Sequence, residues 1–130
     1  MSMDNSPEEA QDTLSQPSTI AIGAPVYFYF KLNSAKLVNN SQLANLDEIA
    51  KIAQEQNLTI HISGAADSST GTKNRNRKLS IERAKFIGKQ LLKRGVNKDN
   101  IKATSLGGIH KFAPKETNRF GVVLLTQEHI

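Results

Sequence analysis

Between Leu58 and Leu91 the hydrophobic period of the chain changes, and this change constrains the fold more than any other feature. Leu58, Ile60 and Ile62 alternate with Thr59, His61 and Ser63, which places one apolar face on a strand over 58–63. Leu79, Arg83, Ile87 and Leu91 then recur at every fourth position, with Ala84 and Gly88 beside that row. That is the stripe of an amphipathic helix, predicted over 74–94 with its start near Lys73. Gly95 suits the residue after its end, and Lys93 and Arg94 complement the helix C-terminus. An earlier stripe, Leu43, Leu46, Ile49, Ala50 and Ala53, predicts a helix over 41–56, with N-cap candidates at Asn39, Asn40 and Ser41. Pro25 to Phe30 is dense in β-branched and aromatic residues and reads as a strand with both faces partly covered. Ile101 to Leu106 and Asn118 to Leu125 supply two more. Gly64 is expected to end the second strand, and Gly107-Gly108 to open a loop. The order is β-α-β-α-β-β. Each helix needs a sheet on which to bury its stripe, so the predicted fold is α+β: a two-layer sandwich with both helices on one face of a mixed four-stranded sheet.

At 130 residues the chain fits one domain. It holds no Cys and three His (His61, His110, His129), without metal-ligand spacing, so no disulfide, metal site or cofactor is expected. It has no apolar run long enough for a transmembrane helix, is too short for a porin-type barrel, and displays no signal peptide. Charge is uneven. Residues 1–22 hold Asp4, Glu8, Glu9 and Asp12 and no Lys or Arg, and read as a flexible acidic leader or linker; the domain is placed at 23–130. The net charge of +5 therefore understates a basic body. Nine basic residues lie between Lys73 and Arg94 against one acid, Glu82. Such a run is either a solvated helix face or the footprint of an anionic partner.

Catalysis has little to stand on. His61 and Ser63 share a strand face, but parallel side chains do not aim a base at a nucleophile, and no Gly-rich phosphate loop occurs. The protein is read as a non-enzyme. Nucleic-acid binding is disfavoured as well. Sheets that read RNA expose stacking aromatics, whereas Phe28 and Phe30 look like core and the basic residues cluster on a helix.

A more specific pattern lies at 64–84. A strand reaches Gly64, Asp67 follows at its C-terminal edge, and a Gly/Ser/Thr loop leads into a helix carrying Leu79-Ser80-x-x-Arg83-Ala84. With the aromatic first strand ending in Phe30, Asn76 three residues before Leu79, Gly95-Val96 at a helix end and Asn118-Arg119 opening the last strand, this resembles the OmpA-like domain, the peptidoglycan-associating module of the bacterial envelope, over about residues 25–125. The derived element order is that family's order. The chain departs from the pattern at Ala65 and Ala66, where members often carry an aromatic or His and then Thr. It departs again at Phe120, where a second Arg is common, and in a loop after Asp67 one residue longer than in many members.

The resemblance implies non-covalent binding of the peptidoglycan stem peptide through its diaminopimelate residue, anchoring a periplasmic, outer-membrane-associated protein to the cell wall. It also implies that any membrane contact runs through segments outside this chain. By motif position Asp67 takes the ligand ammonium and Arg83 its carboxylate. One fixed anion and one fixed cation suit a zwitterionic end group, and a guanidinium fork can hold a carboxylate in two places. Backbone N–H groups of Ser68, Thr70, Gly71 and Thr72, leading into a helix N-terminus, are expected to add donors, and Asn76 and Leu79 to line the same pocket. Asp67 and Arg83 are expected to open on one cleft; a salt bridge between them, clipping loop to helix, is the structural alternative. Lys85, Lys89 and Lys93 are expected to be exposed. Two other functions remain: an OmpA-like domain that has lost wall binding and serves protein interaction, and a basic nucleic-acid-binding module.

Overall fold

Gly95 ends the second helix as the sequence predicts, and Thr72, which the sequence reading did not single out as a cap, begins it. In the computed structural model, which describes residues 20–128, Thr72 Oγ1 accepts the Arg75 N–H at 3.1 Å. At the other end Gly95, at φ +92°, lets the Val96 N–H return to Leu91 O at 3.2 Å. Between them α2 runs Lys73–Lys93. The first helix is entered through a short 3-10 turn, Asn40–Gln42, capped by Asn39 Oδ1 on the Ser41 N–H at 3.0 Å. It continues as α1, Leu43–Gln56, and ends where Asn57 turns left-handed.

The strands are β1 (Val26–Tyr29), β2 (Thr59–Asp67), β3 (Ile101–Ile109) and β4 (Phe120–Thr126). They form one sheet in the order β1-β4-β2-β3. β4 pairs antiparallel with both β1 and β2, and β2 pairs parallel with β3. The sheet is therefore mixed. Alternation sorts its side chains: Phe28, Ile60, Ile62, Val123 and Leu125 join Leu46, Ile49, Ala53, Ile87 and Leu91 in one core, while Tyr27, Tyr29, His61, Ser63, Val122 and Leu124 are half-buried on the opposite face. The fold is the expected α+β sandwich, with both helices on the core side. His61 Nε2 meets Thr126 Oγ1 at 3.0 Å and Glu128 Oε2 at 3.1 Å, whereas Ser63 Oγ meets Thr104 Oγ1.

Two strand ends correct the sequence reading. β2 does not stop at Gly64 but runs on to Asp67. Gly64 serves close packing instead: a Cβ there would collide with the Ser80 carbonyl of α2, so only glycine lets helix and strand approach so closely. Nor do Gly107 and Gly108 open a loop. Gly107, at φ +68°, lies in a bulge where the pairing steps from Gly64↔Ser105 to Ala66↔Gly108, and the strand continues past it. At the start of the chain, Ile20 packs against the core and the Gly23 N–H donates to Leu125 O at 2.9 Å, so contact with the sheet begins before Pro25. Most of the expected acidic leader lies outside the described residues. Among the described residues no helix is long and apolar enough to cross a membrane.

Candidate functional site

Extending β2 beyond Gly64 carries Asp67 to the C-terminal edge of the sheet, where the loop into α2 begins. Asp67 is 2 % exposed, and the next turn supplies its partners. Ser69 donates its N–H to Oδ1 at 3.1 Å and its hydroxyl lies 2.9 and 2.8 Å from the two oxygens. Burial pushes the carboxyl up. The Ser69 hydrogen bonds and the charges of Arg119 and Lys115 outweigh it and hold the group below its usual range. Asp67 is thus a buried anion kept ionised by local donors, not an apolar core position.

Arg83 is 1 % exposed and does not pair with Asp67. It donates from Nε to Ser34 O at 2.9 Å, from Nη1 to Ala65 O at 2.9 Å and from Nη2 to Lys31 O at 3.2 Å. Its Cζ lies 5.6 Å from the centre of the Phe30 ring, a cation–π distance. The salt bridge offered as an alternative is therefore replaced by a clamp of α2 onto β2 and the loop after β1. Burial, then the neighbouring charges of Arg119 and Arg75, lower its pKa to about 10, so it remains a cation at neutral pH. A guanidinium has five N–H groups; with three engaged, each terminal nitrogen keeps one.

Beside this clamp lies a cleft of about 490 Å³ lined by Leu32, Asn33, Thr70, Gly71, Thr72, Arg75, Asn76 and Leu79. Five of these residues, Thr70 to Thr72, Asn76 and Leu79, were expected at the site. Asn76 is 4 % exposed. Its Nδ2 donates to Thr70 O at 2.9 Å, while its Oδ1 receives no hydrogen bond among the described residues and is left as an acceptor at the cleft wall. Thr72 spends its hydroxyl on the helix cap, and the Thr70 hydroxyl donates to Asp67 O. Ser68 lies apart, in a neighbouring hollow of about 410 Å³ with Lys73, Arg77 and Gly108, which Asn76 also lines. Asp67 and Arg83 do not line the cleft itself. Asp67 stands at the root of the loop forming one wall, and Arg83 behind the other, bonded to the carbonyls that flank Leu32 and Asn33.

Four contributors, Leu32, Asn33, Arg75 and Arg119, escaped the sequence reading. Leu32 and Asn33 belong to a turn that carries no motif, yet Arg75 fastens it with Nε on Asn33 Oδ1 at 2.8 Å. Arg119 brings Nη2 within 3.9 Å of Asp67 Oδ2. Its neighbour Asn118 closes the preceding loop, accepting from the Lys111 and Phe112 N–H groups and donating to Phe112 O and Lys115 O. The Asn118-Arg119 pair was the available signal, but it reads locally as the opening of a strand.

The neighbours of this architecture are informative. A solved peptidoglycan-associated lipoprotein from Burkholderia pseudomallei superposes with a TM-score of 0.69 at 25 % identity, covering 77 % of this chain and 89 % of that one. The periplasmic domain of Helicobacter pylori MotB shares the fold at a TM-score of 0.66 and 21 % identity, covering 88 % and 90 %. Outer membrane protein 40 of Porphyromonas gingivalis is 39 % identical over 87 residues, which span 67 % of this chain but only 23 % of that protein. The family model for OmpA matches residues 29–120. That match takes in both helices, the whole of β2 and β3, and every residue of the site described above: the chain belongs to the OmpA family.

Proposed function

We propose that this domain binds the stem peptide of peptidoglycan non-covalently and so holds an envelope protein to the cell wall on the periplasmic side. The observation that carries the reading is the cleft between the 31–34 turn and the N-terminal end of α2, with a fixed anion at the root of one wall and a fixed cation behind the other. A diaminopimelate end group offers one ammonium and one carboxylate. Neither charge lines the cleft, so Asp67 acts on the ammonium from the root of one wall and Arg83 on the carboxylate from behind the other. The acceptor Oδ1 of Asn76 takes a peptide N–H, and Leu79 packs against the methylene chain. The cleft itself is open to solvent, but the two charges behind its walls are buried, where their fields are screened less than at the surface. Membership of the OmpA family and the likeness to a peptidoglycan-associated lipoprotein support the same partner. The arrangement needs neither cofactor nor metal.

Cosedimentation with purified sacculi, with RNA as competitor, tests it. Wild type is expected in the pellet with or without RNA, and Asp67→Asn and Arg83→Lys at least tenfold weaker. Failure of wild type to pellet assigns the domain to protein interaction instead. Displacement by RNA, with loss of binding in a Lys85, Lys89 and Lys93 to Gln variant, assigns it to general polyanion binding.

A further inference from the structure

We propose that an aromatic cavity on the open face of the sheet takes a sugar ring of the glycan strand that bears the stem peptide, so that the domain holds the wall polymer at two points. The inference rests on the stem-peptide reading and deepens it. The cavity, about 590 Å³, is walled by Tyr27, Leu106, Phe112 and Phe120, with Ser63 and Lys111 among its polar members. Both its size and its mixture of rings with a few polar groups are those of small-molecule sites. The rings form a corner. Tyr27 meets Phe120 at 5.0 Å between centroids and Phe112 at 6.3 Å, with interplanar angles of 76° and 85°. A pyranose is amphipathic: its C–H groups settle on the electron-rich face of a ring, while its hydroxyl and acetamido groups turn outward to polar partners. A flat apolar patch suits a protein surface; a corner of rings suits a single ring-sized group.

Two features separate this cavity from an ordinary apolar patch. First, its most exposed ring is held in place. The Phe112 side chain is 41 % exposed, yet the fully buried Asn118 accepts the Phe112 N–H at 3.0 Å and donates to its carbonyl at 3.0 Å. The fold itself therefore orders the ring, and a ligand does not have to, which is how a preorganised site gains affinity. The Tyr27 hydroxyl makes no hydrogen bond among the described residues and is left to serve a ligand. Second, the cavity is continuous with the proposed peptide site. Asn76 lines both the cleft and the hollow that holds Ser68, Lys73 and Arg77, and Leu106 lines both that hollow and the aromatic cavity. Three hollows thus run in series from the 31–34 turn, around the β3 edge, to the open face, sharing a residue at each junction. Ile109, another wall of the cavity, pairs with Asp67 on the neighbouring strand, a step of about 5 Å. The stem peptide joins the sugar through its first residue, and diaminopimelate is its third; three extended residues reach about 10 Å. A domain that seats the third residue in the cleft therefore has the sugar within that reach, and the ring-walled hollow along the path is this cavity.

Calorimetry with the full chain compares two ligands: the N-acetylated stem tripeptide alanyl-γ-glutamyl-diaminopimelate, and the same tripeptide carrying its N-acetylglucosaminyl-N-acetylmuramyl disaccharide. Wild type is expected to bind the disaccharide form about tenfold more tightly. Phe112→Tyr, which keeps the ring, is expected to retain that ratio. Phe112→Leu, which keeps apolar bulk without the ring, is expected to bring it close to unity. Each ratio is taken within one protein, so a loss of stability in a variant does not enter it. Equal wild-type affinity for the two ligands overturns the inference and leaves the stem-peptide reading standing; so does a Phe112→Leu protein that keeps the wild-type ratio. Wild type that binds neither ligand overturns both readings. A monomer–dimer equilibrium in sedimentation velocity that Phe112→Leu abolishes, with no gain from the sugars, gives the cavity to a second copy of this chain instead.

Discussion

From Ala84 to Leu91 the buried side of α2 is aliphatic and packs into the common core; from Asn76 to Arg83 the same side carries an amide, a hydroxyl and a guanidinium, all at most 4 % exposed. The aliphatic end asks only for volume and shape. The polar end asks for a partner at each atom and finds most of them. Ser80 Oγ donates to Arg77 O, accepts the Gly107 N–H at 3.2 Å and meets Ser105 Oγ, and Arg83 reaches three carbonyls. One end of the helix therefore contributes stability that many sequences would supply, and the other contributes a geometry that few would.

Substitutions can break this division. The largest effect is expected at Arg83→Ala, which removes the donors to Ala65 O, Ser34 O and Lys31 O and leaves a void where a fully buried side chain stood. Truncating a large buried side chain costs about 2–5 kcal/mol and leaving a buried acceptor unpaired about 1–3 kcal/mol, so urea denaturation should register a loss of about 4 kcal/mol or more, along with wall binding. A loss below about 1 kcal/mol means the clamp does not carry the turn. Next comes Leu91→Ala at the aliphatic end, with a loss of about 3 kcal/mol. Sacculus binding by the folded fraction should stay at the wild-type level, and a parallel drop would erase the distinction between the two ends.

Acid sharpens the comparison by a smaller amount. The folded pKa of Asp67 is lowered, so native protein binds fewer protons there than unfolded chain. Its contribution to stability is present above the unfolded carboxylate pKa and is lost as pH falls through the folded one. Urea midpoints measured from pH 7 downward should decline more steeply for wild type than for Asp67→Asn, and identical slopes would exclude this carboxylate as the cause. Least is expected from the outward side of α2. Lys85, Lys89 and Lys93 are exposed, as the sequence predicts, and changing all three to Gln should move stability by no more than about 0.5 kcal/mol. It should also flatten the salt dependence of wall binding without abolishing it.

The same contrast explains what could be read without coordinates. The aliphatic positions announced themselves by period, and the end of α2 by Gly95, because caps and stripes are local. Gly64 and Gly107 misled, since glycine reads as a terminator unless the helix pressing on it, or the bulge opposite it, is known. At the site, Thr70 to Thr72, Asn76 and Leu79 are close in sequence and were placed together. The partners of Arg83 were not legible: Lys31 and Ser34 lie far back in the chain, in a turn with no motif, and offer backbone carbonyls, which every residue has. Arg119 was hidden for the same reason. Its significance depends on the strand pairing that brings Phe120 opposite Ala65 and so sets it near Asp67.

The close approach at Gly64 has a kinetic consequence. With the Ser80 carbonyl seated where a side chain would otherwise stand, α2 has no room to slide along β2. Asn76 and Arg83 are carried on that helix and Asp67 on that strand, so their spacing is set before any ligand arrives. Association should then proceed in one step: in stopped-flow mixing with excess peptide, the observed rate should climb linearly with concentration and reach no plateau, because no slower rearrangement stands behind the encounter.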